Sequence, residues 1–185
     1  MKELFEAIRA GDLSRVSALV EANPSLAIFA ASIQGDTAAI EKLLAGNRSL
    51  ATQLSEDGWT PLHLAAFYGR QDGARALLNK GAAVNARSTN PMQNMPLHAA
   101  AAGKHAAVAK ILIDHGASVD AKQHGGWTAM HAAAQNGDLP LAEILMGAGA
   151  DISVRAENNQ QPLDLALIKG QQQMVEFLEA HGASL

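Results

Sequence analysis

His63, His98 and His131 recur 35 and 33 residues apart. Imidazoles set at such regular intervals could ligate a transition metal, because each neutral ring offers a nitrogen lone pair. Zinc needs its ligands about 2 Å from one centre, whereas packed helical units stand about 10 Å apart. A histidine repeated once per unit therefore forms a ladder, not a cage. His105, His115, His124 and His181 show no ligand spacing. The absence of cysteine excludes a thiolate site, a disulfide framework and a cysteine nucleophile. No G-x-x-x-x-G-K-S/T, H-E-x-x-H or G-x-S-x-G motif is present, and the carboxylates are scattered over what read as solvated faces. Neither an enzyme nor a metal or cofactor site is expected.

The elements that carry these histidines repeat as well. PLHLAAFYG from Pro61, PLHAAAAGK from Pro96, AMHAAAQNG from Ala129 and PLDLALIKG from Pro162 align. Their second residues, Leu62, Leu97, Met130 and Leu163, are spaced by 35, 33 and 33, and 19 residues after each comes a Gly-Ala pair. Two independent markers thus keep one period. Each unit reads as two short helices and an extended excursion. Pro61, Pro96 and Pro162 suit a first helical turn, and Thr60 and Thr128 suit N-caps. Gly69, Gly137 and Gly170 suit left-handed helix ends. The second helices carry apolar residues at helical spacing, as in Ala74, Leu77, Leu78 and Val108, Ile111, Leu112. Val84-Asn85-Ala86, Val119-Asp120-Ala121 and Ile152-Ser153-Val154 read as short β-favouring pieces. Helices of two to three turns are unstable alone, so each must bury a face on its neighbours, which makes a one-dimensional stack.

DGWTPLHLAAFYG followed by LLNKGAAVNA resembles the ankyrin repeat, whose marks are T-P-L-H-x-A and a period of about 33 residues. The resemblance covers nearly the whole chain. It implies an all-α ankyrin-repeat solenoid of stacked helix-turn-helix units with short β-hairpin loops, forming one domain over 1–185. Six repeats are expected, at approximately 1–24, 25–58, 59–93, 94–126, 127–159 and 160–185. The first two are degenerate, and only 24 residues separate Gly11 from Gly35, so the first unit should lack its hairpin. Glu6 and Glu179 stand where inner repeats place apolar residues, and read as polar caps of a complete array. Gly73 replaces a branched residue and should weaken the third repeat. Lys104 stands where other repeats have Gly, with Gly103 one place early, and the 87–94 loop, containing Pro91, has two extra residues. The resemblance also implies that the histidines bond backbone and the Thr hydroxyl to fix the turns between repeats.

With 14 basic and 18 acidic residues the net charge is −4, and Arg70, Arg75, Lys80 and Lys104 form no basic stripe, so nucleic acid is not the expected partner. Charges interrupt Met1-Lys2-Glu3-Leu4-Phe5-Glu6 at once, so no signal core appears, and no apolar run reaches membrane-spanning length. A cytoplasmic protein is expected, and the sequon at Asn47-Arg48-Ser49 carries little weight.

What remains is a surface that binds another protein. Carried over position by position, the resemblance implies a concave face bearing Glu56, Asp57, Trp59, Phe67, Tyr68 and Lys80 in the third repeat. Met92, Asn94, Ala102 and His115 follow in the fourth, and His124, Trp127, Gln135, Asn136 and Ala148 in the fifth. Asn159, Ile168 and Lys169 close the row in the sixth. Both tryptophans and the single tyrosine fall on this set, and such residues dominate interface hot spots. Packing on neighbouring hairpins is the alternative for Trp59 and Trp127. A monomeric binding module is the expected function. An inhibitory or regulatory subunit of a partner enzyme is the alternative.

Overall fold

The computed structural model describes residues 1–184. Twelve α-helices among them form six pairs: α1 (Lys2–Ala10) with α2 (Leu13–Ala22), α3 (Ala27–Gln34) with α4 (Thr37–Gly46), α5 (Pro61–Phe67) with α6 (Gln71–Asn79), α7 (Pro96–Ala102) with α8 (Ala106–Asp114), α9 (Ala129–Asn136) with α10 (Leu139–Gly147), and α11 (Pro162–Ile168) with α12 (Gln172–Ala180). The first helices of successive pairs pack on one another, and from α4 onward the second helices do the same. Between these two layers lies a core built from repeated positions. Leu77, Leu112, Leu145 and Leu178 are fully buried, as are Leu62 and Met130. None of these helices could hold its shape alone, and the shared core supplies what propensity does not.

The residues read as caps act as caps. The Thr60 hydroxyl lies 2.8 Å from His63 Nδ1, and Thr128 is placed alike at 2.9 Å from His131. The opposite ring nitrogen of each histidine reaches the carbonyl of a later turn: Asn94 from His63 (3.0 Å), Ala121 from His98 (2.8 Å) and Gln160 from His131 (3.2 Å). The histidine ladder is therefore structural, as the resemblance implied. In the last pair Asp164 takes this place, and its carboxylate accepts the Gln161 N–H at 2.8 Å.

The expected β-pieces are corrected. No strand forms among the described residues, and Val84-Asn85, Val119-Asp120 and Ile152 lie in turns. Each tip is closed by one backbone bond between its arms, as from Ser55 N–H to the Trp59 carbonyl (2.8 Å) and from Gln123 N–H to that of Trp127 (2.8 Å), with a turn bond inside it, as from Gly58 N–H to the Ser55 carbonyl (2.9 Å). One bond between the arms is too few for a ladder. Tips are tied to each other instead, Thr89 N–H to the Gly58 carbonyl and His124 N–H to that of Met92. The 88–94 loop is irregular, as its two extra residues suggested: its closing bond spans Ser88 to Asn94, and Gln93 takes φ +47°.

Gly103 and Lys104 exchange roles for a visible reason. Lys104 occupies the left-handed conformation (φ +59°) that glycine holds elsewhere. A Cβ at Gly103 would stand 2.4 Å from the Phe67 carbonyl oxygen, so closeness to the preceding repeat requires the glycine one place early. Gly73 is buried against Ile40 and Arg70, where a Cβ would meet its nearest atoms at 3.4–3.5 Å. The first unit lacks a hairpin, and a 3-10 turn at Pro24–Leu26 runs straight into α3.

Candidate binding surface

With no tip of its own to align it, α1 reaches past α3 to the third repeat. The Met1 ammonium pairs with Glu56 at 2.9 Å, which lowers the pKa of that exposed carboxyl. Phe5 stacks on Tyr68 with ring centroids 6.4 Å apart. Tyr68 meets Phe67 edge-on at 5.3 Å, and Phe67 meets Trp59 edge-on at 5.4 Å. Spacings of this kind add roughly 0.5–1.5 kcal/mol per pair beyond area burial. These rings bound an open hollow of about 610 Å³, whose rim is lined by Lys2, Glu6, Arg9, Ser55 and Asp57 and whose floor includes Leu64.

The hollow brings Asp57, Trp59, Phe67 and Tyr68 together, with Glu56 beside them at the end of α1. Burial raises the Tyr68 pKa, and the positive charges of Arg9 and Arg70 oppose that rise. Sequence reasoning missed the wall that α1 supplies. Glu6 read as a cap, although Lys2, Phe5, Glu6 and Arg9 follow the i, i+3, i+4, i+7 spacing of one helix face. That stripe was the available signal. Leu4 and Ala7, both buried, form the other face of α1.

The remaining expected residues lie outside the hollow. Trp127 packs on His131 of its own repeat, with centroids 5.5 Å apart. Lys80 and His115 sit at the C-caps of α6 and α8, and the His115 Nδ1 is occupied by the Ile111 carbonyl at 2.8 Å. The Asn136 amide donates to the Ala101 carbonyl, and the Gln135 carbonyl accepts from Gln171, both at 3.4 Å, so this pair helps to pin repeats. Met92, Ala102, His124, Ala148, Asn159, Ile168 and Lys169 are exposed. Asn94 is a correction. It is only 8 % exposed, its carbonyl holds His63, and its N–H donates to Ser88, so the loop turns it inward and removes it from the surface.

No group of three or more His, Cys, Asp or Glu among the described residues could hold a metal ion. No helix among the described residues is long and apolar enough to cross a membrane. A family model of ankyrin repeats matches three times, at residues 4–88, 84–156 and 126–185. Similar curated proteins include the human neurogenic locus notch homolog protein 1, 38 % identical over 94 residues, which is 50 % of this chain and 4 % of that protein. Its Danio rerio counterpart is 41 % identical over 83 residues, 44 % of this chain and 3 % of that protein. The neurogenic locus Notch protein of Drosophila melanogaster is 37 % identical over 92 residues, 49 % of this chain and 3 % of that protein. The chain thus spans only a small fraction of the length of the relatives it matches. Six stacked helix pairs, a ladder of three histidines that each reach a later turn, and family-model matches running from residue 4 to residue 185 place this chain in the ankyrin-repeat family.

Proposed function

We propose that this chain is a protein-binding module that holds its partner on the concave side of the stack, with the hollow between α1 and α5 as the anchor site. Ankyrin repeats are generally protein–protein interaction modules. The observation that carries the concave-site reading is the hollow itself. Phe5, Trp59, Phe67 and Tyr68 leave about 610 Å³ open beside half-buried rings. An aromatic concavity of that size suits an inserted side chain, and aromatic anchors of this type concentrate binding energy. The rigid stack loses little entropy when a partner docks. Gln135, Asn136 and Ile168 extend the footprint along the same row of first helices, with Lys169 at the C-cap of α11 and Met92, His124 and Trp127 on the tips. Lys80 and His115 lie at its margin. The protein acts as a monomer in the cytoplasm on this reading.

The test is affinity capture from the native lysate with wild type, Tyr68→Ala and Trp127→Ala, each checked for an unchanged helical spectrum. A partner recovered by the wild type and lost with Tyr68→Ala supports the hollow. Loss with Trp127→Ala extends the footprint to the fifth repeat. Recovery unchanged by both substitutions refutes the concave site. Assaying any enzyme so captured, with and without this chain, then separates a regulatory subunit from a scaffold.

A further inference from the structure

The first helix pair is seated differently from the other five. From α4 onward each second helix packs on its successor, whereas α2 packs on α1, on α3 and on the 3-10 turn at Pro24–Leu26 and stands off α4. The space so left is an open apolar groove of about 670 Å³ on the convex side, with Val16 and Val20 on the α2 wall, Leu43 on the α4 wall, and Ala30 and Ala31 of α3 between them. Val20 and Leu43 are only half-buried there. On the concave side α1 leans the other way and lays Phe5 on Tyr68. The groove and the hollow thus flank α3. One rotation of the pair about α3 accounts for both, because a turn that carries α1 toward α5 carries α2 off α4. The pair is built to turn as one body: its two helices pack on each other, and Arg15 meets Glu3 at 3.7 Å. It grips the stack lightly. Met1, Leu4, Ala7 and Val16 are its buried residues, whereas α3 alone buries six. The Met1 ammonium adds an ion pair with the exposed Glu56, and exposed pairs hold weakly. The pivot is fixed, since the Ser25 carbonyl accepts from the Gln53 amide at 3.1 Å, which pins the turn to the second repeat.

We propose that the first helix pair is a jaw that rolls about α3 between two seats. In the seat described, α1 closes on Tyr68 and the groove stands open. In the other, α2 packs on α4 as every later second helix packs on its successor. Val20 and Leu43 are then buried, and α1 leaves Tyr68, so the hollow loses one wall. Apolar surface buried on the convex side offsets the loss of the Phe5–Tyr68 contact. Ala30 and Ala31, with their short side chains, offer α2 little to interlock with as it slides. A side chain that touches both α1 and α5 holds the closed seat, because it makes those contacts in that seat alone. The roll belongs to the chain by itself, and its use as a clamp rests on the protein-binding reading.

The chain contains no cysteine, so introduced pairs report on this motion alone. Nitroxide labels on Ala18→Cys of α2 and Arg75→Cys of α6, both exposed, allow the distance to be read by double electron–electron resonance. Two populations are expected, the shorter by roughly 5 Å, the step from a helix standing off to one in packing contact. Labels on Arg75→Cys and Lys110→Cys, across α6 and α8, should give one. Phe5→Ala should raise the shorter population relative to the longer by roughly 2–10-fold, the worth of one aromatic pair. In a Trp127→Phe background, a disulfide between Val20→Cys and Leu43→Cys should draw α2 onto α4 and make Trp59 more open to acrylamide quenching, and reduction should reverse this. A single distance that Phe5→Ala does not shift overturns the roll. So does a disulfide that leaves Trp59 quenching unchanged, or a folded cysteine pair that does not oxidise. Should that pair fail to fold, the labels at exposed positions still decide. No partner is needed, so the two readings fail separately. A fixed jaw beside lysate capture that depends on Tyr68 overturns the roll alone, and a rolling jaw beside capture indifferent to Tyr68 overturns the hollow as the anchor site.

Discussion

Acid should loosen the turn that supports the aromatic hollow, and His63 is the group through which it acts. The ring is fully buried. The Thr60 N–H points at Nδ1 from 3.3 Å, so Nδ1 is the unprotonated nitrogen and Nε2–H donates to the Asn94 carbonyl. A proton on Nδ1 would face that N–H donor in a fully buried site. Burial is the largest cause of a pKa lowered from 6.5 to about 4. The Asn94 bond opposes the shift, and the nearby His98 adds slightly to it. The unfolded chain, with an ordinary histidine, binds protons that the folded chain refuses. Stability is therefore fully present above pH 6.5 and falls as pH drops toward the folded pKa. The gap corresponds to about 3 kcal/mol in full, of which about 2 kcal/mol is lost between pH 7.5 and pH 5. His98 and His131, also lowered chiefly by burial, act in the same direction. Urea unfolding followed by circular dichroism at pH 7.5, 6.5, 5.5 and 5.0 measures the effect, with His63→Gln as the non-titrating control. Carboxylates contribute little to the slope in this range. The variant should be less stable throughout but lose about 2 kcal/mol less than the wild type over the interval. Parallel pH profiles for the two proteins would refute the assignment.

Two further substitutions test the packing. Lys104→Gly relieves a left-handed lysine (φ +59°) and should raise the unfolding free energy by about 1 kcal/mol, read from the urea midpoint at constant slope. A drop in stability would show that the Lys104 side chain matters more than its backbone. Leu112→Ala opens a cavity at a fully buried position of α8 and should cost about 2–5 kcal/mol in the same assay. A cost under 1 kcal/mol would mean that the layers between repeats collapse freely.

Periodicity alone determined the repeating unit. Leu62, Leu97, Met130 and Leu163 mark the first helices because a stack must bury the same positions in every unit, and a buried position constrains residue type wherever it recurs. Thr60 and Thr128 as caps, the left-handed Gly69, Gly137 and Gly170, and the missing first hairpin were legible for the same local reasons. Elsewhere the local pattern misled. Val84, Val119 and Ile152 favour strands, yet each lies in a turn, and one backbone bond joins the arms of the tip that follows it. Asn94 looked exposed because its position was carried over across a loop with two extra residues, and the added length turned it inward onto His63.

The hollow belongs to the tertiary structure. Trp59, Phe67 and Tyr68 are legible in the sequence because they are aromatic residues at contact positions that the ankyrin resemblance implies within one repeat. Phe5, Glu6 and Arg9 are 50 or more residues away in sequence and join them only because α1, with no tip to hold it in register, reaches past α3 to Tyr68 and Glu56. A helical stripe shows which side chains share a face, but what that face meets depends on how the helix leans. Packing between non-adjacent repeats decides that angle, and no local propensity encodes it.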